Sequence, residues 1–196
     1  MIAVIDYKAG NLTSVMKALT SLGAEANVTA EPEVLLQATK VILPGVGHFA
    51  ATRLLTEQGL TQAVRGSIGR GVPFLGICVG LQWLFEGSTE APEEKGLGVF
   101  EGMCDRFPPG AKVPHVGWNS VRIDPQSRLM AGIEDGSYVY YTHSYRAPVV
   151  KDTVAVTEYG SDFTGAVERE NVMGVQFHPE KSGAAGMQIL KNFVEL

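Results

Sequence analysis

The chain has 196 residues, 45% hydrophobic and 19% charged, and its 16 Lys and Arg against 21 Asp and Glu leave a net charge of −5. A chain of this length buries roughly 70% of its unfolded surface, so it has a real core and is not a disordered polymer. The acidic balance, with no basic cluster, excludes a protein that grips the phosphate backbone of a nucleic acid.

The first half alternates strand-like and helix-like segments. Ile2–Ile5 is apolar and β-rich, and it ends at Asp6. Leu12, Val15, Met16, Leu19 and Leu22 then fall on one face of a helix that Gly23 can close. Val41-Ile42-Leu43 reads as a second strand stopping at Pro44-Gly45-Val46-Gly47, and helical spacing runs from Phe49 to about Arg70 with a break near Gly59. Pro73–Ile77 is a third strand leading into Cys78. Strands apolar throughout predict a sheet covered on both faces.

The second half is richer in short strands, at Val99–Asp105, Val121–Ile123, Tyr138–Thr142, Val154–Glu158, Gly165–Glu168 and Val172–Phe177, before a last helix over Ala184–Leu196. The acidic Glu90–Glu94 stretch and the turn at Pro108-Pro109-Gly110 read as surface connections, not a domain boundary. The expectation is a single α/β domain over residues 1–196, an open mixed, mostly parallel sheet flanked by helices.

Other features set the setting. No stretch approaches the ~18 apolar residues of a membrane span. Met1–Ile5 carries no preceding basic residues, so no secretory leader is read and the expected compartment is the cytoplasm. The two cysteines, Cys78 and Cys104, are too few for a disulfide framework and are expected to stay reduced.

The strongest local signal for chemistry is Gly76-Ile77-Cys78-Val79-Gly80, between a buried strand and a segment with Leu81, Leu84 and Phe85 at helical spacing. This is the nucleophile-elbow pattern with Cys in place of Ser. The turn puts the thiol at a helix start, which favours the thiolate. A thiol nucleophile needs a base and the base an orienter. Of His48, His115, His143 and His178, His178 is better placed: it follows the β-rich run Val172–Phe177 to the C-terminal edge of the expected sheet, with Glu180 two residues on across Pro179. Taken alone, His-Pro-Glu is also an ordinary strand exit. N–H donors for an oxyanion would come from Val79 and from the Pro44–Gly47 turn. There is no G-x-G-x-x-G, P-loop, H-E-x-x-H or zinc-spaced cysteine pair, so no cofactor and no metal are expected.

Together, Gly-Ile-Cys78-Val-Gly, the Pro44–Gly47 loop and His178-Pro-Glu180 about a hundred residues after the cysteine resemble the class I (triad) glutamine amidotransferases. Asp6-Tyr7…Gly10-Asn11-Leu12, Val113-Pro114-His115-Val116-Gly117-Trp118-Asn119, His143-Ser144-Tyr145 and Gln176–Ser182 narrow the resemblance to the branch whose ammonia goes to a separate (β/α)8 cyclase subunit in histidine biosynthesis. Lys8 stands where that branch more often has glycine. The resemblance implies Cys78 as nucleophile on glutamine, His178 and Glu180 as its base and orienter, Gly47 and Val79 as oxyanion donors, and Gln82, Ser144 and Tyr145 as contacts to the substrate's backbone groups. It implies a cyclase-facing surface with Asn11, Trp118, Asn119, Tyr138 and Lys181, and control of hydrolysis by the partner, for which the Pro44–Gly47 loop is the expected switch.

Other readings of the same residues stand beside it. One is the glutaminase of another synthase, such as that feeding pyridoxal phosphate formation. A second is a cysteine peptidase or γ-glutamyl hydrolase, and a third a non-enzymatic interaction or thiol-sensor domain that keeps the fold.

Overall fold

The computed structural model describes residues 1–196. In chain order the elements are β1 (Ile2–Ile5), α1 (Leu12–Ser21), β2 (Ala26–Thr29), α2 (Pro32–Gln37), β3 (Lys40–Gly45), α3 (Arg53–Glu57), α4 (Leu60–Gly69), β4 (Phe74–Cys78), α5 (Val79–Leu84), β5 (Gly87–Ser88), β6 (Met103–Arg106), β7 (His115–Ser120), β8 (Arg122–Ile123), β9 (Tyr138–His143), β10 (Tyr145–Arg146), β11 (Thr153–Glu158), β12 (Asp162–Arg169), β13 (Val172–Val175) and α6 (Gly183–Glu195). Short 3-10 turns at Phe49–Thr52 and Pro179–Lys181 complete the set.

The main sheet has eight strands in the order β2-β1-β3-β4-β13-β12-β11-β8. From β2 to β13 neighbours run parallel; β12, β11 and β8 continue it antiparallel. The mixed, mostly parallel sheet expected from the apolar runs is therefore present. Every residue of β1, β4 and β13 is buried, which a sheet covered on both faces requires. The chain moves one way across the sheet from β1 to β2 and the other way from β3 to β4. Right-handed crossovers then put α1 and α4 on opposite faces; accordingly α1 packs with α6, and α2 with α4.

Strand order reverses between β1 and β3, and the site gathers beside that point, at the C-terminal ends of β3, β4 and β13. Two small sheets overhang that edge: β5 and β6 with β10, and the antiparallel ribbon β7–β9. The ribbon is tied to the main sheet where His178 N–H donates to the Tyr140 carbonyl at 2.9 Å and Ser182 Oγ accepts from Tyr140 N–H at 2.9 Å.

Two expectations need correction. The strand read over Val99–Asp105 begins only at Met103, because the N–H groups of Gly98, Val99 and Phe100 are turned back onto the Phe85 and Leu84 carbonyls, closing the end of α5. The run Val172–Phe177 leaves regular pairing after Val175. The helical stretch from Phe49 to Arg70 is present with its expected break: a 3-10 turn and two helices, divided at Gly59 with φ +74. Lys8 also has φ +69, a left-handed conformation that favours glycine, and Asp6 Oδ1 supports it by accepting from Lys8 N–H at 2.9 Å.

Candidate functional site

Cys78 ends β4 and begins α5, with φ +55 and ψ −108. For a non-glycine residue this is strained backbone of the kind that functional turns hold by surrounding packing. The packing depends on two glycines. A Cβ on Gly80 would stand 2.0 Å from the Leu43 carbonyl oxygen, and one on Gly76 would stand 2.4 Å from the Gly80 oxygen. Neither position has room for a side chain, so α5 lies directly on β3 and β4 and presents the thiol at the C-terminal edge of the sheet.

His178 and Glu180 leave β13, the strand beside β4, with Val175 opposite Ile77 in register. His178 Nδ1 lies 2.9 Å from Glu180 Oε1, and both side chains are 1% exposed. Burial alone would lower the imidazole pKa; the Cys78 sulfur and the Glu180 carboxylate outweigh it and raise the value to about 10. The imidazolium is therefore the favoured form of His178. With Nδ1 committed to Glu180, the buried Nε2 has no partner in the chain and is the ring atom left to serve the sulfur.

Above that edge lies a cavity of about 200 Å³ lined by Gly47, Cys78, Val79, Gln82, Glu90, Pro114, Thr142, His143, Ser144 and Tyr145. That size suits an amino acid rather than a drug-sized ligand. Val79, the first residue of α5, has no intrahelical partner for its N–H. Gly47, exposed with φ +93, donates its N–H to nothing within the chain. The first loop lies against this turn, since a Cβ on Gly10 would be 3.2 Å from the Pro44 oxygen.

Gln82, Ser144 and Tyr145 all reach the cavity. Gln82 spends both N–H bonds, on the Tyr145 carbonyl at 2.8 Å and on Gln176 Oε1 at 3.1 Å, leaving its Oε1 for the cavity. Glu90 is a lining residue that the sequence reading left in a surface loop. Its Oε2 accepts from Phe49 N–H at 2.8 Å, and no local pattern marked it, because an isolated carboxylate in an acidic loop looks like solvated surface.

The other histidines divide as follows. His48 is exposed and caps a 3-10 turn by accepting from Ala50 N–H. His115 and His143 are buried, 3.0 Å apart, amid Phe107, Tyr141, Tyr159 and Phe163. Both cysteines are free and buried, and burial raises the Cys104 thiol far above its ordinary range.

Of the residues expected to face a partner, Trp118 and Tyr138 are 55% and 62% exposed on the β7–β9 ribbon, with Val116 at 56% beside them. Lys181 Nζ sits 5.9 Å from the Tyr140 ring centre, which Trp118 meets edge-on. These residues form one aromatic, singly charged patch next to the His178–Glu180 turn. Asn119 is half-buried, donating to the Glu158 carbonyl, and Asn11 is half-buried ahead of α1.

A thiol, a paired imidazole, free N–H groups and an amino-acid-sized cavity form a constellation for acyl transfer. Residues 3–196 match the family described as glutamine amidotransferase class-I. The chain is 48% identical to the protein named imidazole glycerol phosphate synthase subunit HisH of Methanothermobacter thermautotrophicus, over 100% of this chain and 98% of that one. It is likewise 48% identical to the protein of the same name from Moorella thermoacetica, over 100% of this chain and 94% of that one. Among solved structures, a glutamine amidotransferase crystal structure superposes with a TM-score of 0.78 at 21% identity, covering 100% of this chain and 98% of that one. The structure of PurLQS from Thermotoga maritima follows with 0.76 at 19% identity, covering 99% and 97%. At those identities the structural likeness speaks for the fold.

Proposed function

The chain belongs to the class-I glutamine amidotransferases, and from that premise we infer that it hydrolyses glutamine to glutamate and ammonia as the glutaminase subunit of an imidazole glycerol phosphate synthase, in histidine biosynthesis. The observation that carries the reading is the cavity in which Cys78, Val79 and Gly47 meet Gln82, Glu90, Ser144 and Tyr145, with His178–Glu180 directly behind.

The steps follow from the geometry. The Cys78 thiolate attacks the side-chain carbonyl carbon of glutamine, and the N–H groups of Val79 and Gly47 hold the oxyanion. His178 Nε2–H gives its proton to the amide nitrogen, the C–N bond breaks, and ammonia leaves behind a γ-glutamyl thioester. His178 then takes a proton from water as the water attacks the thioester. The C–S bond breaks, releasing glutamate and restoring the thiolate. Glu180 stabilises the imidazolium and holds the ring tautomer throughout. Gln82, Ser144 and Tyr145 hold the substrate's backbone groups, and Glu90, the only carboxylate lining the cavity, faces the α-ammonium.

Ammonia at neutral pH is mostly protonated and lost to bulk water, so a sealed route to the consuming site is needed. The partner in this reading is a (β/α)8 cyclase subunit, which uses the ammonia to form imidazole glycerol phosphate and an aminoimidazole carboxamide ribonucleotide. The exposed Trp118–Tyr138 patch with Lys181 supports this. It lies on the ribbon that supplies Thr142 and His143 to the cavity and holds the turn bearing Glu180. Control enters at the Pro44–Gly47 loop, where two glycines make a peptide rotation cheap. No helix is long and apolar enough to cross a membrane, and on this reading the protein works in the cytoplasm.

The test is glutamate release from glutamine by the chain alone and with the cyclase subunit plus its nucleotide substrate. Strong stimulation by that partner, and not by a pyridoxal phosphate synthase partner, is expected. Equal rates with and without it would keep the glutaminase but remove the assignment to this synthase.

A further inference from the structure

Behind the nucleophile runs a chain of hydrogen bonds that none of the reaction steps uses. Gln176, fully buried, follows Val175 of β13, which pairs with Ile77 of β4, so Gln176 comes out beside Cys78. Its Nε2 lies 3.6 Å from Cys78 Sγ and its Oε1 accepts from Gln82 Nε2 at 3.1 Å. The direction of this amide is determined. Gln82 Nε2 also reaches the Tyr145 carbonyl at 2.8 Å, and a carbonyl only accepts, so the Gln82 nitrogen faces both partners. Gln176 must then turn its oxygen to Gln82 and its N–H to the sulfur.

The same carbonyl is held from its other side. His143 Nδ1 lies 2.8 Å from it and must carry the proton, which leaves His143 Nε2 to accept from His115 Nδ1 at 3.0 Å. His115 Nε2 in turn faces Asn119 Nδ2 at 3.4 Å. This alternation works only with both rings neutral, because an imidazolium at either would set two N–H groups against each other. Burial supports that state, lowering His115 to about 4 and His143 to about 3.

Around Cys78 Sγ, the hydrogen-bonding neighbours are the Gln176 N–H and, at 3.9 Å, the Thr142 carbonyl. Of these two only the N–H can stabilise a sulfur anion, and it adds to the His178 imidazolium that the reaction steps already employ. We propose that Gln176 is a positioning residue for the nucleophile, its N–H aimed through Gln82, the Tyr145 carbonyl, His143 and His115 so that it holds the Cys78 thiolate in place for attack. This deepens the glutaminase reading and rests on it, yet it is measurable without glutamine.

The test uses two variants of nearly equal shape. Gln176→Glu keeps an oxygen for Gln82 but sets a carboxylate oxygen against the sulfur in place of the N–H, whereas Gln176→Met loses both bonds without adding a charge. Alkylation of Cys78 by iodoacetamide at neutral pH, followed by mass spectrometry of its peptide, should slow about tenfold or more in both, the scale of one hydrogen bond to a charged group. With glutamine, kcat should fall by a similar factor while KM moves less than about threefold, since the substrate's contacts remain. A melting transition like the parent's identifies a folded variant, and the uncharged Gln176→Met decides. Alkylation within about twofold of the parent overturns the proposal. In the unsubstituted chain, the Gln176 side-chain amide resonances should move when Cys78 is alkylated; resonances that stay put overturn it without any variant. Failure to hydrolyse glutamine even in the complex with the cyclase subunit and its nucleotide, with these alkylation effects present, would sink the glutaminase reading and leave the positioning role intact.

Discussion

Glu90 and the paired histidines show how single residues acquire their roles from surroundings that are distant in sequence. Glu90 is held over the cavity by its bond to Phe49 N–H, across 41 positions of chain. In the proposed reading its exchange for Gln removes a charge that faces the α-ammonium and leaves the reacting groups alone. KM for glutamine should rise by about tenfold or more with kcat nearly unchanged; a fall in kcat at constant KM would place Glu90 elsewhere in the mechanism. His115 and His143 carry a pH signature. Their folded pKa values, about 4 and about 3, lie below the unfolded value, so the unfolded chain binds more protons between those values and about 6.5. The stability they contribute is complete above that window and is lost as the pH falls through it. His115→Phe keeps the ring stack on Tyr159, 3.9 Å between centres, and removes one titrating site. Urea-unfolding free energy should then decline less steeply between pH 6.5 and 4.5, by about 1.4 kcal/mol per pH unit. Parallel slopes in parent and variant would contradict the assignment.

At the scale of elements, the elbow depends on how close α5 comes to β3 and β4. Gly80→Ala would drive a methyl group into the Leu43 carbonyl, a backbone atom that cannot swing aside. A loss of about 3 kcal/mol in urea unfolding, with loss of glutaminase activity, is expected. Gly69, last residue of α4, has open space around its Cβ position, and Gly69→Ala should add about 0.5–1 kcal/mol. If the two changes have similar effects, the close-packing account of the elbow is wrong. The elements that were legible in the sequence are those with one dominant signal: the apolar runs of β1, β3, β4 and β13, the helical faces of α1 and α6, and the break at Gly59. The illegible ones lack it. β2 is four residues with a single fully buried position, and β7 carries His, Gly, Trp and Asn because one side faces solvent. The apolar Val99 was misread as strand because its backbone partner, the Leu84 carbonyl at the end of α5, is defined only in three dimensions.

At the scale of the whole molecule, the parallel half of the sheet builds the chemistry and the antiparallel additions build its surroundings. β3, β4 and β13 end at one edge and deliver Gly47, Cys78 and the His178–Glu180 turn, while the β7–β9 ribbon and β10 roof the cavity with Thr142, His143, Ser144 and Tyr145. The local motifs were readable because each is confined to a few consecutive residues. The roof was readable only through family resemblance, and Glu90 through neither. The most direct measurement of the central claim compares nitrogen sources in the complex with the cyclase subunit carrying Cys78→Ala. Synthesis of imidazole glycerol phosphate from glutamine should disappear, while synthesis from added ammonium salt should continue at the parent rate. Glutamine-driven synthesis that survives Cys78→Ala would contradict the account.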